Sequence, residues 1–223
     1  MIFSQNELGY YFKNENCLVF FGNVTATAEK IAVFYPEFSF LRIKQTHSDI
    51  IVVASTEIHE ADAHWSDQKK QALLIATADC TPLMIFCRQT KRAVAIHAGW
   101  RGVENKIALK ALQKMIETGS TQKDFEFYFG PHIMKDSFEV SEDVFLLLEK
   151  SQYDLNKKNY VSQKNNKFYV DLQKIIFSQI RHIIKKEPIA MTIDLDTKTN
   201  TNFHSYRRGK QTNERNLSFI TVL

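Results

Sequence analysis

ALLIATADCTPLMIFCRQTKRAVAIHAGWRG, residues 72–102, decides the fold class. Three apolar, β-branched runs follow one another here, ALLIATAD, PLMIFC and AVAIHAG, and they carry apolar residues at odd and even positions alike. Strands of that kind are covered on both faces, so they belong to a layered α/β arrangement rather than to a sandwich with one wet face. Outside this stretch the same signature recurs in CLVFFGN, FSFLRIK and DIIVVAS on the N-terminal side and in FEFYFGP, IAMTID and NLSFITVL on the C-terminal side. Helical spacing appears between them. Val103, Ile107, Ala111 and Met115, with Gly119 as a stop, predict a helix over 103–117, and Leu172, Ile175, Ile176, Gln179 and Ile183 predict another over 171–185. Ser141, followed by Glu142 and Asp143, starts a shorter one through SEDVFLLLEK.

At 223 residues and 44% apolar content the chain can bury one core, and no Pro/Gly/Ser linker or repeat divides residues 1–223, which read as a single domain. Its 29 basic and 25 acidic side chains leave a net charge of +4, too balanced for a nucleic-acid binder and consistent with small-molecule partners. NKKNYVSQKNNK, residues 156–167, reads as a solvated loop. The N-terminus lacks the basic start and apolar run of a signal peptide and no window reaches a membrane span, so a cytoplasmic protein without membrane contact is expected. Three cysteines without CxxC spacing indicate neither a disulfide framework nor a structural zinc knuckle.

Three side chains stand where strand-like runs stop. His47 interrupts LRIKQTHSDIIVV, Cys80 breaks ALLIATADCTPLMIF, and His97 ends AVAIH before a glycine turn. Strand ends deliver side chains from rigid elements into one place. Two imidazoles and a thiolate from separate strands suit a catalytic metal with an open fourth position, where zinc brings the pKa of a water to roughly 7. Spacing alone leaves a second account open, in which Cys80 is a small buried hydrophobe and the histidines are unrelated. Asp79, beside Cys80, is a candidate to orient a ligating histidine, whereas Cys17 and Cys87 read as core. Gly99 and Gly102 flank Trp100 and Arg101 ahead of the 103–117 helix, an arrangement able to meet an anion. Arg207 and Arg208 follow Tyr206 in FHSYRR, and Trp100 and Tyr206 could stack a ring or simply plug the core edge.

KQTHSDIIV, TADCTPLMIF, AIHAGWRGV, GPHI with SFEV behind it, and NFHSYRR followed by Arg215 together resemble the family once called multicopper polyphenol oxidases or laccase-domain proteins, over residues 44–215. That family is now associated with purine nucleoside phosphorylase and adenosine deaminase activity. The resemblance implies a single three-layer α/β/α domain of mixed sheets and a zinc held by His47, Cys80 and His97. It adds Asp62, from EADAHWS, and Arg101 to the catalytic surroundings of Cys80; Lys44, Arg101, Tyr206, Arg207 and Arg208 are the candidates to contact substrate. Two departures bear on the pocket: Asp196-Thr197 stands where the family often has Cys-Thr, and His132 stands in GPHI.

The reading that follows is a zinc enzyme of purine nucleosides, with phosphate as a second substrate held by Arg101 and Arg207 or Arg208, and with Asp62 moving protons during deamination. A peptidoglycan-precursor amidase acting on UDP-N-acetylmuramate wrongly joined to L-serine would use the same metal and arginines. A copper phenol oxidase shares the His₂Cys ligand set, but none of the seven histidines forms a His-x-His pair. A metal-binding scaffold without turnover is the plainest alternative.

Overall fold

The computed structural model describes residues 3–184, 189–209 and 213–223, which form a mixed α/β structure. One six-stranded sheet runs β1 (Ser4–Asn6), β2 (Gly9–Lys13), β3 (Cys17–Gly22), β15 (Asn216–Val222), β7 (Gln71–Thr77) and β4 (Ser39–Arg42). The second runs β14 (Ile189–Thr192), β10 (Phe125–Phe129), β8 (Thr81–Cys87), β9 (Arg92–Ala98), β6 (Ala63–Ser66) and β5 (Ile51–Val53). A small third sheet joins β11 (Glu139–Val140), β13 (Lys167–Val170) and β12 (Val161–Lys164). The helices are α1 (Ala28–Phe34), α2 (Trp100–Glu104), α3 (Ile107–Glu117), α4 (Glu142–Ser151), α5 (Lys157–Tyr160), α6 (Leu172–Ile183) and α7 (Tyr206–Gly209).

Alternation along the two-faced strands builds the layers. In β8, Met84 and Phe86 pack with Val19, Phe21, Leu73, Ile75 and Ile220 of the other sheet, while Leu83, Ile85 and Cys87 face α3 and α6. The β layer between the helices is therefore double, two sheets face to face, with α1 over the outer face of the first through Ile31 and Tyr35 against Phe20 and Phe219. Each fully buried side chain of that inter-sheet layer contributes about 1.5–3 kcal/mol, enough for this layer to hold the sheets in contact. Both large sheets are mixed: β4 pairs parallel to β7, and β14 parallel to β10, among antiparallel neighbours.

All nine expected strands are present, but two expectations need correction. The 103–117 helix is two helices, because Lys106 adopts φ 61 and breaks the chain between α2 and α3. The 156–167 stretch is α5 and β12 rather than a solvated loop; Tyr160 and Val161 are buried, and Asn165-Asn166, both at positive φ, make the two-residue turn into β13. Lys185, the expected last residue of the 171–185 helix, lies outside the described residues, and α6 reaches Ile183. Ser141 starts α4 as expected. Among the described residues no helix is long and apolar enough to cross a membrane.

Pairing in the second sheet positions the site. Thr81 opposes Ala98 and Pro82 opposes His97, so the end of β9 lies beside the start of β8, where the chain arrives from β7 of the other sheet through Ala78–Cys80. On the other flank Ala63 opposes Ile96, and the His97 N–H donates to the Asp62 carbonyl at 2.8 Å. The segment after β4 runs over the same end, bridging through Lys44 and Glu60 before it reaches His47.

Candidate active site

The structure brings His47, Cys80 and His97 together: one donor atom from each lies within 4.8 Å of the others. Cys80 Sγ is 3.9 Å from His47 Nε2, and the two imidazole rings meet edge to face at 4.9 Å. Gly99 suits this closeness, since a Cβ there would stand 3.0 Å from His47 Cδ2 and 3.1 Å from Cys80 Sγ and would press both side chains aside.

One buried carboxylate organises both histidines. Asp62 Oδ1 accepts from His97 Nδ1 at 2.7 Å and from the His47 N–H at 3.1 Å. Its Oδ2 accepts the Thr46 N–H at 3.1 Å, the Ser48 N–H at 2.6 Å and the Ser48 hydroxyl at 2.7 Å. Converging N–H groups hold His47 at φ 59, a backbone region that costs a non-glycine residue energy unless its surroundings enforce it. Occupying His97 Nδ1 in this way leaves Nε2 for the cleft. Burial would raise the Asp62 pKa, but the bonds from His97 and Ser48 hold it well below the usual carboxylate range. Both Asp62 oxygens are thus filled from within the protein, an arrangement that positions the two histidines. Asp79 does not orient a histidine; its carboxylate accepts from Thr197 Oγ1 and the Arg207 N–H, each at 2.7 Å.

Electrostatics prepare the donors. Burial alone would push the Cys80 thiol up, yet the neighbouring His97 and His47 lower it; burial alone would lower His97, yet Cys80 and Asp62 raise it. The cluster therefore favours thiolate beside imidazolium, and a cation arriving there would displace a proton.

A cleft of about 570 Å³ opens over the cluster. Trp100, Arg101, Tyr206 and Arg207 line it, together with Arg215, Gln45 and an apolar side formed by Ile133, Phe138 and Leu172. The Arg101 guanidinium lies 4.4 Å over the Trp100 ring and that of Arg207 5.3 Å over Phe138. Two expected substrate residues are elsewhere. Lys44 points to solvent in an ion pair with Glu60, and Arg208 spends its guanidinium on the carbonyls of Thr197, Lys198, Asn200 and Phe203, tying its own segment together. His132 is buried, donating Nδ1–H to the Gly130 carbonyl at 2.8 Å, and Asp196 caps local N–H groups; neither lines the cleft. Gln45 and Ser48 escaped the sequence reading, although their places beside His47 were the available signal: Gln45 pairs through its amide with both main-chain groups of Ala76, at 2.8 Å each.

A family model described as multi-copper polyphenol oxidoreductase laccase matches residues 3–223. A purine nucleoside phosphorylase of Synechocystis sp. is 30% identical over 202 residues, covering 78% of this chain and 76% of that protein. An adenosine deaminase of an unknown prokaryotic organism is 28% identical over 142 residues, covering 58% and 54%. In three dimensions the crystal structure of the Bacillus licheniformis hypothetical protein YfiH superposes with a TM-score of 0.89 at 18% identity, over 99% of each chain, and shows the same fold.

Proposed function

The chain belongs to the multi-copper polyphenol oxidoreductase laccase family, and on that premise we propose that it is a zinc-dependent purine nucleoside enzyme, one domain that performs phosphorolysis of adenosine- and inosine-type nucleosides and deamination of adenosine. The observation that carries the reading is the His47–Cys80–His97 cluster in a cleft that Arg101, Arg207 and Arg215 also line. The names of the phosphorylase and deaminase relatives support the substrate class.

Two imidazoles and a thiolate at mutual reach, with the buried Asp62 behind one of them, fit zinc. Multi-copper chemistry would need several such groups, and His47, Cys80 and His97 are the one His/Cys/Asp/Glu group of that kind among the described residues. Zinc bound there supplies Lewis acidity at a single point beside the reacting atoms. The protein's own part is placement. Arg101 and Arg207 offer planar forks to phosphate oxygens, Trp100 and Tyr206 present ring faces to a base, and Ile133, Phe138 and Leu172 exclude water from one side. Asp62 keeps the His97 ring from turning during the reaction.

The test is zinc-loaded protein incubated with adenosine, with and without phosphate, and analysed for inosine, adenine and ribose 1-phosphate. The proposal expects inosine without phosphate and adenine with ribose 1-phosphate when phosphate is present; none of these products refutes it. The cleft arginines would equally receive a diphosphate, so UDP-N-acetylmuramoyl-L-serine belongs in the same assay. Release of serine in place of the nucleoside products would move the assignment to amide cleavage.

A further inference from the structure

The geometry points to Asp79 as a positioning residue that holds the Tyr206–Arg207 wall of the cleft against the Cys80 turn and so sets the affinity for substrate. The substrate in this inference rests on the purine nucleoside reading; the mechanical tie does not.

Asp79 is 7% exposed and sits at φ 85, immediately before Cys80. Its two carboxylate oxygens go to Thr197 and Arg207, and its carbonyl accepts the Ile133 N–H at 2.9 Å. One residue therefore binds three parts of the cleft: the turn bearing Cys80, the apolar side at Ile133, and the C-terminal wall. That wall is a body in its own right, because the Arg208 guanidinium gathers the carbonyls of residues 197–203. Its ends have other attachments: the Thr197 N–H donates to the His132 carbonyl, and His204 exchanges two hydrogen bonds with the Asn216 side chain. Loss of the Asp79 bonds thus frees the wall to shift without unfolding it. Tyr206 and Arg207 would lose their placement, while His47 and His97, held by Asp62, keep theirs, and Cys80 stays at the start of β8, where Thr81 pairs with Ala98.

Asp79→Asn and Thr197→Val separate this role from a purely structural one. Asparagine tolerates positive φ as aspartate does, so the first change alters hydrogen bonding rather than backbone strain. The second removes only the hydroxyl donor, from a residue outside the cleft lining. KM for adenosine should rise roughly tenfold in Asp79→Asn and less in Thr197→Val, with kcat within about twofold and zinc stoichiometry unchanged. Hydrogen exchange in peptides spanning residues 205–208 should quicken in Asp79→Asn, since a neutral amide with one acceptor oxygen replaces the charged acceptor of the Arg207 N–H. Unchanged KM and unchanged exchange, or loss of kcat or of zinc without a change in KM, overturns the inference. Should the native protein convert no nucleoside, the substrate reading has failed, and exchange alone then judges the tie: unaltered protection in Asp79→Asn refutes it.

Discussion

Replacing Asp62 by asparagine tests the positioning role against the proton-transfer role that the sequence suggested. The side chain is fully buried and accepts five hydrogen bonds, two at Oδ1 and three at Oδ2. Asparagine keeps one acceptor oxygen, so its amide must turn an NH₂ group toward one of these two sets. Facing the Oδ2 set opposes the Thr46 and Ser48 N–H groups; facing the Oδ1 set opposes the His47 N–H and forces His97 to accept at Nδ1. In that tautomer Nε2 carries the proton and is lost as a ligand. Either orientation leaves one or two part-buried donors without their carboxylate partner, at about 1–3 kcal/mol each, so a loss of roughly 2–4 kcal/mol is expected. For a chain of this size 2 kcal/mol lowers Tm by at least about 4 °C. Zinc affinity should fall ~10–100-fold, the usual consequence of losing the partner of a ligating histidine. Thermal unfolding of the metal-free protein and competition against a chromophoric chelator measure the two effects. A variant with Tm and zinc affinity like the native protein but with kcat abolished would refute the positioning argument and return Asp62 to proton transfer.

Gly99→Ala should reduce zinc affinity by about tenfold or more while the fold survives, because Gly99 has φ −72, acceptable to alanine, and the obstacle is the new methyl against His47 and Cys80; chelator competition with circular dichroism checks both halves. Arg207→Gln should raise KM ~10–100-fold with stability retained, whereas Arg208→Gln should cost about 2 kcal/mol of stability through its lost carbonyl contacts, and kinetics beside denaturant titration distinguish them. His64→Leu addresses acid sensitivity. Burial lowers the His64 pKa from 6.5 to about 4, and its ring nitrogens have no side-chain hydrogen-bond partner. The unfolded chain takes up this proton first as pH falls, so native stability is complete above about pH 6.5 and is lost toward pH 4, by ~3 kcal/mol in all. Leucine should flatten that limb of Tm against pH; parallel curves for the two proteins would contradict the assignment.

Strand-rich regions and their two-faced character were legible because apolar periodicity is local, and so were His47, Cys80 and His97 as side chains that end or interrupt such runs; that the three meet was implied by the family resemblance and not by their spacing. The short strands β2 and β6 were not, as GYYFK and AHWS carry too few residues to show a period. Charge and neighbourhood misled where side chains had two possible partners. Arg208 looked like its neighbour Arg207, yet one curls back onto carbonyls and the other reaches the cleft. Asp79 and Asp62 each looked able to serve a histidine; only the register that sets Ala63 opposite Ile96 brings Asp62 to His97.

The amino-acid sequence by itself therefore determined the α/β class, the strand positions and the chemical identity of the three clustered donors, since these depend on periodicity and on residue type. Tertiary structure decided that the β layer is double, that one carboxylate serves two histidines, and which arginines face the cleft. Those choices are made by strand register and by contacts between residues more than a hundred positions apart, such as Asp79 with Thr197 and Arg207, and no local pattern encodes them.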